Sequence, residues 1–63
     1  MKSADLIREL VRAGWGLQRV RGSHHVFQHS SRPGSVVVPH PKKDLGLGLV
    51  RAIRKQAGLQ AGD

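Results

Sequence analysis

The residues best suited to move protons in this chain are its histidines: His24, His25, His29 and His40. Three of them fall in one short run, His24-His25-Val26-Phe27-Gln28-His29. An imidazole is the one side chain whose ordinary pKa lets it give or take a proton near neutral pH. Strand alternation would place His24, Val26 and Gln28 on one face and His25, Phe27 and His29 on the other. Phe27, the largest apolar side chain of the run, assigns its own face to the core and leaves His24 on the open face. There His24 follows Gly22-Ser23, small residues that would let a ligand backbone come close, and it is a candidate general acid or base. The plain alternative is a polar strand residue with no further task. His25, on the Phe27 face, reads as semi-buried and structural, and His29, at the end of the strand, as solvent-facing. His40 lies between prolines in Pro39-His40-Pro41, where a stiff backbone would present its ring as a second acid or base.

Positive charge surrounds this segment. Arg19 and Arg21 share a strand face beside the turn that leads to His24, and Lys42-Lys43 follow the next strand. With Gly22 and Ser23 they frame a groove suited to a phosphate backbone. Arg8, Arg12, Arg51, Arg54 and Lys55 fall on helix surfaces and read as solvated. Trp15 has a ring able to stack on a base, but directly after a helix it reads as an anchor at the core edge. A metal site is not expected. Adjacent histidines on a strand face apart, the chain has no cysteine, and its four acidic residues lie outside the histidine segment. The same shortage of clustered carboxylates disfavours metal-assisted phosphodiester chemistry, and no cofactor is implied.

Sixty-three residues make one small domain, 1–63, near the lower limit for folding on a single core. Eleven Lys and Arg against four Asp and Glu give a net charge of +7 with histidines neutral. Such a balance on so small a body favours a polyanionic partner, nucleic acid first. Protonating the histidines would strengthen that attraction below about pH 6.5, the ordinary histidine pKa. No apolar stretch is long enough to span a membrane and no signal-peptide core follows Met1, so the chain reads as soluble and cytoplasmic.

The elements that must position these groups are legible from periodicity. Ser3 reads as the N-cap of a first helix, with Asp5 in its first turn. Leu6, Ile7, Leu10, Val11 and Ala13 form its buried face, and Gly14 stops it. Gly16–Arg21 and His24–His29 are two strands joined by Gly22-Ser23 in a II′-type turn. Ser30–Gly34 is a loop, and Ser35–Val38 a third strand ended by Pro39. After a glycine-bearing basic connector, Leu49–Ala57 is a second helix burying Val50, Ile53 and Ala57. Gly46 and Gly48 argue against an earlier start. Residues 60–63 are expected to fray. The fold class is α+β, in the order α-β-β-β-α: a three-stranded antiparallel sheet with two helices on one face.

These residues together resemble the HicA family of bacterial toxins, small mRNA interferases of type II toxin–antitoxin pairs. The resemblance rests on Ala13-Gly14-Trp15, Gly22-Ser23-His24-His25-Val26-Phe27, Val37-Val38-Pro39-His40 and Ile53-Arg54-Lys55-Gln56-Ala57-Gly58-Leu59, in order, from about Ser3 to Leu59. One departure is Gly48-Leu49-Val50, where family members often have Gly-Thr-Leu and so a hydroxyl in the first turn. The resemblance implies a double-stranded-RNA-binding-domain-like fold and ribonuclease activity centred on His24. It also implies inhibition by a HicB antitoxin that carries the DNA-binding part of the pair, so direct DNA binding by this chain is not expected.

A metal-independent cleavage that uses the ribose 2′-OH as nucleophile fits these residues. His24 would transfer the proton, and Arg19, Arg21, Lys42 and Lys43 would bind phosphate. Single-stranded mRNA is the expected substrate class. Two further readings fit composition and charge: a non-catalytic RNA-binding module and a small ribosome-associated structural protein.

Overall fold

Phe27 decides which side of the sheet becomes the interior, and in the computed structural model, which describes residues 1–59, it is fully buried. The elements run α1 (Ser3–Arg12), β1 (Trp15–Arg21), β2 (His24–His29), β3 (Arg32–Pro39) and α2 (Leu47–Ala57). The strands form one antiparallel sheet in the order β1-β2-β3. Leu6 and Leu10 of α1 and Val50, Ile53 and Ala57 of α2 join Trp15, Phe27, Val36, Val38 and Leu45 in one buried cluster. Both helices therefore cover the Phe27 face, as the α+β reading expected. Each fully buried Leu, Phe or Ile contributes about 1.5–3 kcal/mol of apolar transfer, which is the main force holding so short a chain together. No helix of the described residues is long and apolar enough to cross a membrane.

Several local expectations change. Ser3 is not the cap of α1 but its first helical residue; Lys2 occupies the cap position and makes no side-chain cap bond. The Ser3 hydroxyl is instead buried and bonded to residues near position 40. Val11 lies outside the buried stripe and is exposed. Its position follows from geometry, since each helical residue turns about 100° from the one before and Leu10 already faces the core. The second helix begins two residues earlier than its glycines suggested, with Gly46 at the cap and Gly48 inside the first turn. Leu45, in the connector read as merely basic, is a core residue.

The sheet contains two irregularities. Leu17 pairs with Phe27 and Arg19 with Val26, so Gln18 is an extra residue in β1. This bulge reconciles an apolar spacing of three with a strand period of two. Leu17 and Val20 both lie on the Phe27 side of the sheet, exposed on this edge strand, and Arg19 and Arg21 lie on the opposite side. In β3 the strand starts at Arg32 rather than Ser35. Its pairing shifts between His29↔Arg32 and Gln28↔Ser35, with Gly34 at φ 80° inside the irregularity. The region read as a five-residue loop is thus a two-residue connection, Ser30-Ser31, followed by a bulged strand. The fraying expected of residues 60–63 lies outside the described residues.

Candidate active site

The site begins with a turn. Gly22 and Ser23 link the paired residues Arg21 and His24, and only Gly22 has a positive φ, 60°. Positive φ at the first central residue alone is the signature of a II′ turn. A Cβ at Gly22 would meet nothing within 4 Å. Glycine is therefore needed here for its backbone angle and not for want of space.

The turn delivers His24 to the first position of β2, where it is exposed and stands between Arg21 on one side and Pro39 on the other. Directly opposed residues of an antiparallel pair share a face with Cβ atoms about 4.5–5.5 Å apart, so Arg21 and His24 are immediate neighbours. Arg19 lies next along the same face, opposite Val26. Val26 itself is nearly buried although it is on the open side, because it sits in the middle strand between Arg19 and Val37. The aliphatic stem of an arginine can cover such a residue while its charge stays in water.

The other end of this arrangement is the segment leaving β3. The His40 amide donates to the Ser23 carbonyl at 2.7 Å, which carries the ladder one step past Pro39 and ties it to the turn before His24. Lys42 and Lys43 follow, both exposed. The structure thus gathers the turn Gly22-Ser23, His24 and Arg21 at one end of the sheet, with the backbone of His40 tied to the turn and that of Lys42 tied to Ser3 of α1.

His40 does not join His24. Its ring packs edge-on against that of His25, with centroids 4.8 Å apart, and its Nδ1 is 2.6 Å from the Ser3 hydroxyl of α1. Both contacts lie on the helix side of the sheet, whereas His24 is on the open side. His25 is half-buried as expected, pairs with Val20 and Val38, and keeps its Nδ1 buried without a hydrogen-bond partner. His29 corrects the sequence reading: it is half-buried, not solvent-facing. Its Nδ1 accepts the Ser31 amide at 2.9 Å, which leaves Nε2 to donate to the Ala13 carbonyl at 2.9 Å. Its ring also meets Trp15 edge-on at 5.3 Å. Trp15 anchors the core, as its place directly after α1 suggests, with its Nε1 donating to the Ala57 carbonyl at 3.4 Å.

Charge is divided between the two sides. Asp5 pairs with Arg8 at 3.1 Å, Glu9 with Arg54 at 2.8 Å, and Asp44 with the terminal ammonium of Met1 at 3.0 Å. The Glu9 carboxylate, hydrogen-bonded to the Arg54 guanidinium, holds the Arg54 pKa above its ordinary value against the opposing effect of burial. All three carboxylates belong to α1 or the connector, and none of the strands carries one. Arg19 and Arg21 form no ion pair among the described residues. A shallow hollow lined by Met1, Leu45, Leu47, Val50 and Arg54 opens beside α2 and holds none of the histidines. Among the described residues no three His, Asp or Glu side chains converge as metal ligands.

Among the described residues, an exposed imidazole stands beside two guanidiniums without ion pairs on a face without carboxylates, a setting that can bind a phosphodiester and exchange a proton with an adjoining ribose oxygen. The model of the HicA toxin family, bacterial toxins of toxin–antitoxin pairs, matches residues 3–59 of this chain. A solved structure described as a HicA3 and HicB3 toxin–antitoxin complex contains a similar chain, 29% identical, with a TM-score of 0.78. The match covers 98% of this chain and 100% of that one. No curated protein sequence matches.

Proposed function

This chain belongs to the HicA toxin family, and from that membership and the geometry of the open face we propose that it is a metal-independent endoribonuclease acting on single-stranded mRNA. The observation that carries the proposal is the position of His24: exposed, on the cationic side of the sheet, and directly across from Arg21. Arg19 and Arg21 hold the phosphates of the bound strand, and Lys42 and Lys43 add charge where the chain leaves β3.

In the reaction the ribose 2′-oxygen attacks the adjacent phosphorus and the bond from phosphorus to the 5′-oxygen breaks. The products are a 2′,3′-cyclic phosphate and a 5′-hydroxyl. One proton leaves the 2′-OH and one arrives on the 5′-oxygen. His24 carries one of these transfers and water the other, since His25, His29 and His40 all lie on the helix side. Acid–base catalysis by one positioned group is worth about 10²–10⁴-fold. The nearby guanidiniums stabilise the charge that builds on the phosphorane oxygens.

The partner is a HicB-like antitoxin. The similar solved chain is part of a complex with HicB3, and a +7 surface without strand carboxylates favours an acidic protein lying over Arg19, Arg21 and His24.

The test is to incubate the purified protein, with EDTA, with a defined single-stranded RNA and with its all-2′-deoxy counterpart, and to map the ends by mass spectrometry. The expected result is RNA cut to cyclic-phosphate ends and an intact deoxy strand. Cutting of the deoxy strand would overturn the mechanism. Binding of both strands with neither cut would favour a non-catalytic RNA-binding module.

A further inference from the structure

His40 has two attachments that no step of the proposed reaction uses. Its amide holds the Ser23 carbonyl at 2.7 Å, and its ring nitrogen Nδ1 meets the Ser3 hydroxyl at 2.6 Å. Ser3 is 1% exposed, and it makes further bonds to the same segment. The Lys42 amide donates to its hydroxyl at 2.8 Å, the hydroxyl is 3.1 Å from the Lys42 carbonyl, and the Ser3 amide donates to that carbonyl at 3.0 Å. A hydroxyl has one proton and two acceptor sites. It can donate to Lys42 and accept from a protonated Nδ1, or donate to Nδ1 itself, so either imidazole tautomer satisfies it. The His25 ring flanks the His40 ring edge-on and limits its rotation.

We propose that Ser3 and His40 are positioning residues, a latch between the first turn of α1 and the exit of β3 that fixes the His24 turn and the Lys42-Lys43 loop relative to one another. The inference rests on the ribonuclease reading for its consequence and on the hydrogen bonds alone for its existence. The route is short and contiguous. Ser3 holds His40 and Lys42, His40 holds Ser23, and Ser23 precedes His24. A small misplacement of a reacting group, on the order of 1 Å, can cost about 10²-fold in rate.

Substitutions that separate Nδ1 from the proton-transfer capacity of the ring decide the matter. Asparagine places an amide near the position of Nδ1 and glutamine places one near Nε2, and neither transfers protons. His40→Asn should keep cleavage within about threefold of wild type, while His40→Gln and Ser3→Ala should each lower kcat by roughly 10–100-fold. Affinity for the uncleaved deoxy strand should change less than about threefold, because the charges of Lys42 and Lys43 remain. Rates are taken per folded molecule, with the folded fraction read from urea unfolding. If Ser3→Ala fails to fold, the half-buried His40 pair still decides. Equal loss in His40→Asn and His40→Gln would overturn the proposal and make His40 a proton-transfer group. Wild-type kcat in His40→Gln would overturn it as well.

Hydrogen exchange at the Lys42 amide reads the latch without any cleavage. Protection lost in Ser3→Ala and kept in His40→Asn supports it; protection kept in Ser3→Ala overturns it. An inert wild type that shows this loss would sink the ribonuclease reading and leave the latch standing.

Discussion

On the helix-covered side of the sheet His25, His29 and His40 are held by neighbours: His29 by two backbone groups and Trp15, His40 by Ser3, and His25 by burial against the His40 ring. On the open side His24 stands exposed between Arg21 and Pro39 and makes no such contact among the described residues. The same side chain is structural on one face and available on the other. What separates the two uses is the set of groups around each ring. A histidine whose nitrogens are already committed to backbone groups has neither a free acceptor nor a free path to a substrate. The acidic residues follow the same division: all three described carboxylates are paired away from the strands, leaving the His24 side to the arginines.

The separation of the two faces depends most on Phe27. Phe27→Ala should cost about 3–5 kcal/mol, most or all of the stability of a domain this size, and should appear in circular dichroism melts as a largely unfolded chain. A cooperative melt near the wild-type temperature would show that the core does not depend on this face assignment. On the open side, replacing Arg19 and Arg21 together with glutamine should leave the urea midpoint within the equivalent of about 0.5 kcal/mol. It should weaken RNA binding and flatten its salt dependence, each lost phosphate contact removing about 0.7 from the log–log slope. An unchanged slope would place the bound strand elsewhere. The smallest effect on cleavage belongs to the helix side. Trp15→Phe replaces the buried indole with a smaller ring and gives up the hydrogen bond to Ala57, so it should cost roughly 1–3 kcal/mol in urea unfolding. Cleavage per folded molecule should not change.

Much of this was legible before any coordinates. The helix stripes, the Gly22-Ser23 turn and the dominance of Phe27 are local signals, and they suffice for the element order and for placing His24 on the open face. The misread parts depend on partners far away in sequence. A serine before an amphipathic run looks like a cap whatever it touches, and nothing near Ser3 announces a bond to His40 or Lys42. His29 reads as exposed because its partners lie outside β2, Ala13 at the end of α1 and Trp15 at the start of β1. The two-residue turn and strand alternation put Arg21 and Arg19 on His24's side, but the bulge at Gln18, which places Trp15 and Leu17 on the Phe27 side, leaves only one trace in the sequence. That trace is the three-residue spacing of Leu17 and Val20, which a strand cannot accommodate without an extra residue.

Under the proposed function, one face of the sheet carries the chemistry and the other the stability. His24→Ala and His29→Ala, measured side by side for urea midpoint and RNA cleavage rate per folded molecule, test that division. His24→Ala should lose about 10²–10⁴-fold in rate at an unchanged midpoint. His29→Ala, which leaves the Ala13 carbonyl and the Ser31 amide without their partner, should lose about 1–3 kcal/mol of stability at an unchanged rate. Cleavage by His24→Ala at the wild-type rate would contradict that division.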